Sequence, residues 1–443
     1  MSRLPLVSSV LFLTTLLVVC SSNASTSHVR PAPSGFVLQP DISDPGCNVG
    51  RGVRLAAHLG GIPVVVSGAM PDGSTLVASS GYPTLRSVEL HSVTALCAPN
   101  RAFGNEGVAT VILPLRPRPG NPPADGVPPN GLWVNAVAPR RGGGAILAGT
   151  YGNDWVVGEV TASGRIDRTF GDHGWTVLPF PGEVSAALQE PSGRIIIAGD
   201  NGGGGCCTLN WAAAISARGR IEKSFGTRGR EELPTGGDSG VEGLALEPNG
   251  DVLATVGYGN NGCWGVALAM LLPSGQPVPQ FAKRLDRFWH GLAFGAFVAD
   301  VYVDGDGFTL VGTGEKQCDG YRPPRAAGLI ARFRTDGKPA GATVRFPSRM
   351  YGEVHAFREG EDIFLVLVPY ADQTQLTVTA RRPDGSVDPR FGSRGRASIR
   401  TPWRGREAAL ETMVSVNRAN PGTLVVVATE DGRKQLQVIR VRL

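Results

Sequence analysis

The sequence is short of the motifs that mark most enzymes and metal proteins. It has no Cys-x-x-Cys pair and no His-Glu-x-x-His, so neither common zinc arrangement is written into it. It has no Gly-x-Ser-x-Gly, which removes the nucleophile elbow of hydrolases. The Gly202–Gly205 run is not followed by Lys-Ser/Thr, so it is no phosphate cradle. Asp304-Gly305-Asp306-Gly307 lacks the further ligands of a calcium loop, with Phe308 and Thr309 where an acidic ligand and the glycine would stand, and reads as a turn. Neither charge dominates: 43 Lys and Arg stand against 38 Asp and Glu, for a net charge of +5. The arginines are scattered along the chain, whereas nucleic-acid binding calls for a basic stripe. Beyond the N-terminus no apolar run is long enough to span a bilayer. No cofactor and no metal are expected.

Glycine, by contrast, is abundant, with 61 in 443 residues. Much of it marks one hairpin written seven times: an apolar run, a Gly/Pro/Asp/Asn turn, then a second apolar run that often ends in Gly. With Gly73, Gly143, Gly193, Gly250, Gly307, Gly360 and Gly422 as markers, the steps are 70, 50, 57, 57, 53 and 62 residues. Strand-type repeats of this length predict a β-propeller. A second marker, a Gly followed six residues later by Phe-Gly, recurs at Gly164/Phe170, Gly219/Phe225 and Gly385/Phe391. Gly275/Phe281 keeps the spacing without the second Gly, and Phe103-Gly104 keeps only the second half. The expected role is a buried Phe anchoring a tight reversal between two strands. A third strand lies between the markers and a short fourth follows Phe-Gly.

The expected fold is therefore all-β: a seven-bladed β-propeller of four-stranded antiparallel blades. The last unit stops after its third strand. Asp44-Pro45 matches Asp388-Pro389, with Asp41 one residue nearer to the pair than Asp384 is. An N-terminal strand, Arg51 to Ala57, is expected to complete the C-terminal blade and cover its free edge.

The segment from Pro191 to Gly226, PSGRIIIAG followed by GRIEKSFG, resembles the uncharacterised delta-60 repeat family of exported bacterial proteins. The likeness covers about residues 40–443. It implies a propeller-like fold outside the cytoplasm and no established reaction.

The first 24 residues read as a signal peptide: Arg3, an apolar stretch from Leu4 to Val19, and small residues near Ala24. A lipid anchor at Cys20 is the lesser alternative, because Val19 stands where a small residue is wanted. Residues 25–39 read as a flexible lead-in and 40–443 as one propeller, with a Pro-rich loop at 115–131 between blades one and two. Six cysteines follow the signal: Cys47, Cys97, Cys206, Cys207, Cys263 and Cys318. An even count in an exported chain suggests disulfides. Cys47 with Cys97 and an inter-blade bond from Cys263 to Cys206 or Cys207 are favoured; connectivity among Cys206, Cys207, Cys263 and Cys318 stays open.

Ligand contacts on such a scaffold are expected in the variable loops between second and third strands. Those loops hold Tyr82, Tyr151, Asp154, Tyr258, Asn260, Asp319, Tyr321, Tyr370 and Asp372, with His290 on the same side. A rim of amphipathic aromatics and neutral polar groups suits a cell-surface glycan or a protein partner. The functional expectation is a secreted, monomeric, non-catalytic binding protein with no nucleic-acid partner and no membrane span. The alternative is a propeller enzyme with an axial-mouth site, a quinone-dependent dehydrogenase or a lyase, drawing on His290, His355, Arg287, Asp300 and Glu353.

Overall fold

The computed structural model describes residues 64–442 except 71, 81–85, 95–97, 115–130, 202–207, 235–237, 261–262, 279, 282–283, 285–294, 304–306, 316–326, 342, 348–353, 360–361, 368–374, 383, 401–414, 421–422 and 431–434. The signal peptide, the lead-in, the Pro-rich loop and the closing strand at 51–57 lie outside the described residues. No described helix is long and apolar enough to cross a membrane.

The described chain is all-β, arranged as antiparallel sheets in chain order. The first holds β1 (Val64–Ala69), β2 (Thr75–Ser80), β3 (Ser87–Val93) and β4 (Val108–Ile112). The second holds β5 (Leu132–Pro139), β6 (Ala145–Tyr151), β7 (Asp154–Val160) and β8 (Trp175–Pro181). The third holds β9 (Val184–Gln189), β10 (Ile195–Asp200), β11 (Asn210–Ile215) and β12 (Arg230–Glu232). The fourth has three strands, β13 (Asp238–Leu246), β14 (Val252–Asn260) and β15 (Cys263–Leu271). The fifth holds β16 (Gly295–Val303), β17 (Gly307–Glu315), β18 (Ala327–Arg334) and β19 (Val344–Pro347). The sixth holds β20 (Val354–Glu359), β21 (Asp362–Leu367), β22 (Gln375–Arg381) and β23 (Arg396–Arg400). The last has three strands, β24 (Ser415–Asn420), β25 (Thr423–Glu430) and β26 (Gln435–Arg442). Every glycine-marked hairpin of the sequence joins the first two strands of one sheet. The first strands of successive sheets adjoin in chain order, and β1 also adjoins β24.

The cores lie between sheets, and the strand pleat assigns residues to them. On β6, Ala145 and Leu147 pack toward the first sheet, with Val88 and Leu90. Their alternates Ile146 and Ala148 pack toward the third, with Ile195 and Ile197. On β10 the other parity, Ile196 and Ala198, meets Val252 and Ala254 of the fourth sheet. A strand covered on both faces has no polar side to alternate, which is why Ile195-Ile196-Ile197 reads as an unbroken apolar run.

The Phe-Gly turns fasten one sheet to the next. Phe103, Phe170, Phe225, Phe281 and Phe391 are all buried. Each such ring removed from water contributes about 1.5–3 kcal/mol. The marker glycine of the following sheet closes the socket: a Cβ on Gly275 would come within 2.8 Å of the Phe225 ring, and one on Gly337 within 2.8 Å of Phe281. At three of these turns the amide after the Phe donates across the boundary. Gly104 donates to Ser163, Gly171 to Arg218 and Gly226 to Ser274, at 2.9, 3.0 and 2.7 Å. Only a residue at ease with positive φ can stand where Gly164 (79°) and Gly219 (74°) stand and leave that carbonyl accessible.

Candidate functional site

The strands that gather together, β5, β9, β13 and β16, each carry one residue too many for their ladder. Val134 pairs with Gly149 and Ala136 with Ala148, leaving Asn135 unpaired. Ser185 on β9, Glu242 on β13 and Ala299 on β16 are left over in the same way, within one register step of the same point. Such bulges bend a strand and re-aim its side chains. They also explain the glycine that ends many second strands. A Cβ on Gly149 would strike the carbonyl of Trp133, and one on Gly199 the carbonyl of Glu183.

Three carboxylates stand on these elements. Glu183 leads into β9 and Asp200 ends β10. The Asp200 amide donates to the Glu183 carbonyl at 2.9 Å, and the Glu183 amide donates to Asp200 Oδ1 at 3.4 Å. Trp155 Nε1 donates to the Asp200 carbonyl at 3.2 Å and ties this corner to the second sheet. Burial, and then the neighbouring Asp200 charge, push the Glu183 carboxyl above its ordinary value. Glu242 is the bulged residue of β13, and its carboxylate lies against Gly257 on β14, where any side chain would collide with it. Water reaches Glu242, yet protein surrounds it closely enough for desolvation to push its pKa up to about 7. No hydrogen bond or ion pair to the Glu242 side chain is found among the described residues. A carboxyl that is half protonated near neutrality can both accept and donate a proton.

Two residues expected on the rim are placed elsewhere. β6 does not stop at Gly149 but continues to Tyr151, which pairs with Asp154. Tyr151 shares the parity of Ala145 and Leu147, so its ring points into the core between the first and second sheets and is fully buried. Asp154 is buried as well. The turn between them is only Gly152-Asn153, and both Tyr151 and Asp154 are turned away from the surface. Tyr258 and Asn260 also belong to a ladder and not to a loop, paired with Gly265 and Cys263. Tyr82, Asp319, Tyr321, Tyr370, Asp372 and His290 lie outside the described residues, as do Cys47, Cys97, Cys206, Cys207 and Cys318. Cys263 opens β15. Among the described residues no group of His, Cys, Asp and Glu is arranged to hold a metal ion.

Glu183, Asp200 and Glu242 were not singled out by the sequence reading, although a signal for the bulges was there. Val134 and Val137 face one core, as do Val184 and Ala187, and Val241 and Leu244. A spacing of three on one face of a strand requires an inserted residue.

No family model matches the sequence, and no curated protein does. Among solved structures the chain is similar to the polysaccharide lyase Uly1, with 11% identity and a TM-score of 0.46 over 90% of this chain and 95% of that one. It is similar to the beta-propeller domain of the Trilobed protease from Pyrococcus furiosus, with 11% identity and a TM-score of 0.43 over 86% and 95%. A protein of unknown function from Dyadobacter fermentans gives 11% identity and a TM-score of 0.42 over 90% and 100%. At such identities these likenesses carry no statement about chemistry.

Proposed function

We propose that the protein is an exported, non-catalytic binding protein built as a seven-bladed propeller of delta-60 type, with residues 51–57 completing the last blade. The adjacency of first strands in chain order, with β1 beside β24, supports a closed ring. The three-stranded last sheet leaves a place for one more strand. The binding face of this reading is the rim where second strands end and first strands begin. The observation that carries it is the Glu183–Asp200 corner, which sets polar groups on a backbone held by two reciprocal hydrogen bonds and by Trp155. Rigid strands carrying variable loops are the usual ground for recognition. The ligand of this rim is a glycan or a protein surface, met by Tyr258, Asn260 and the rim residues Tyr82, Asp319, Tyr321, Tyr370, Asp372 and His290. A pull-down with cell-wall material, run beside a Tyr258→Ala/Tyr321→Ala variant of unchanged thermal stability, tests this. Loss of capture in the variant supports the rim, and equal capture removes it.

Glu242 favours a second reading, an axial-mouth enzyme in which this carboxyl acts as general acid or base. Its pKa of about 7 suits either role at neutral pH. Screening polysaccharides for cleavage with the parent chain and with Glu242→Gln separates the two readings. Turnover lost in the variant favours the enzyme, and no turnover in either chain favours the binder.

A further inference from the structure

The opposite edge of the sheets carries a feature that the scattered arginines of the sequence conceal. The turn between third and fourth strands holds Arg165 and Arg168 in the second sheet. In the third it holds Arg218, Arg220, Lys223 and Arg228. All of these side chains are exposed. Among the described residues none of them meets a carboxylate. The acids of the same turns are engaged from the other side. Arg140, in the hairpin of the second sheet, holds Asp167 at 2.6 Å and Glu159 at 2.9 Å. Arg194, in the hairpin of the third, approaches Glu222 at 3.6 Å. Asp172, exposed beside His173 at 3.5 Å, is the acid left at the surface of these two turns. The two turns are fixed to each other by the Gly171 amide on the Arg218 carbonyl and by Thr176 Oγ1 on the Gly219 carbonyl at 2.7 Å. Charges more than fifty residues apart in sequence are thereby held in one band.

A groove of about 1050 Å³ runs along the start of this band, between β4 and the turn of the second sheet. Its walls offer Thr110, Ser163, Arg165, Arg168 and the exposed Ile112. We propose that this groove and the adjoining turn of the third sheet bind an acidic polysaccharide, its carboxylate or sulfate groups paired with Arg165, Arg168, Arg218 and Arg220. Guanidinium forks match such anions in a bidentate way. Threonine and serine hydroxyls suit the sugar hydroxyls between them. Among the described residues no Phe, Tyr or Trp lines the groove to stack a nucleobase, and its one ring, His173, lies beside the Asp172 carboxylate. A peptide strand adding to β4 would find the Ile112 carbonyl at its end already taken, because Trp175 Nε1 donates to it at 3.1 Å.

Affinity electrophoresis of the full chain through gels containing polygalacturonate, heparin or neutral dextran tests this. The expected result is retardation by at least one of the two acidic polymers and none by dextran, weakening as salt is raised. Arg165→Ala/Arg168→Ala and Arg218→Ala/Arg220→Ala should each weaken binding about tenfold or more at unchanged melting temperature. A Lys338→Ala control, exposed in the fifth sheet and outside the band, should bind as the parent does. Retention of full affinity in both double variants overturns the proposal, as does equal retardation by dextran. Binding of single-stranded DNA or polyglutamate as tight as that of the acidic polysaccharides also overturns it, since charge alone would then be the determinant.

Discussion

The backbone amide of Gly171 meets the carbonyl of Arg218 at 3.0 Å, across the boundary between the second and third sheets. The same bond is made one boundary earlier by Gly104 and Ser163, and one later by Gly226 and Ser274. The Phe-Gly signature is therefore a joint between repeats, and the glycine that opens each turn belongs to its neighbour's socket.

Gly219→Ala tests the joint. At φ 74° an alanine pays a backbone penalty of about 1–3 kcal/mol, and its Cβ would also strike the Gly171 backbone. The variant is expected to lose at least that much stability in urea unfolding. Gly142→Ala, at φ 82° with nothing near its Cβ, should lose only the backbone part. Equal losses in the two would show that the joint contributes nothing beyond turn geometry.

Gly199→Ala probes the bulge. Here φ is not in the left-handed region, so the cost comes from the collision with the Glu183 carbonyl alone. The expected loss is about 2 kcal/mol or more, within the range of overpacked cores, and the Glu183–Asp200 corner should loosen with it. Hydrogen exchange at the Asp200 amide reads this directly: protection unchanged in the variant would refute the close approach.

Glu242 gives a pH signature with a definite sign. Its folded pKa of about 7 lies above the ordinary 4.5, so between these values the folded chain holds a proton that the unfolded chain has lost. Stability therefore falls as pH rises from about 4.5 to about 7, and the contribution is level on either side. Glu242→Gln removes that slope. The melting temperature of the variant should gain on the parent steadily across this window and keep a constant lead above it. Parallel curves from pH 4 to pH 8 would mean that the Glu242 carboxyl is not desolvated.

Arg140→Met leaves Glu159 buried without its counter-charge, a change that costs about 3–5 kcal/mol for a buried pair. Burial pushes the Glu159 carboxyl up, and Arg140 opposes that rise. Without Arg140 the carboxyl takes up a proton more readily, so the loss should be greater at pH 8 than at pH 5. Denaturant midpoints at the two pH values check this, and a pH-independent loss would assign the effect to packing of the arginine stem.

The strand content and the hairpins were legible because each unit repeats turn chemistry at fixed offsets and buries both faces of its central strands. Pro191-Ser192-Gly193 and Ile195-Ile196-Ile197 leave little else to form. Tyr151 was misplaced because its fate depends on where β6 ends. A strand two residues longer turns an apparent loop tyrosine into a core residue by pleat parity alone. Glu242 was missed because desolvation of a carboxyl comes from the fold around it, here including Gly257 on the paired strand, and not from its neighbours in sequence. The basic band was hidden for a related reason: Arg168 and Arg218 are remote in sequence, and only the joint between sheets makes them neighbours.

That joint also bears on how such a chain can grow. Each unit carries half of one seam and half of the next, so a tandem duplication cut anywhere in the period still supplies both halves at every new junction, provided its length is a whole unit. A partial duplication leaves one phenylalanine without a glycine to cover it. Gain or loss of material in this architecture is thereby quantised, and changes of other sizes are confined to the loops that the seams do not touch.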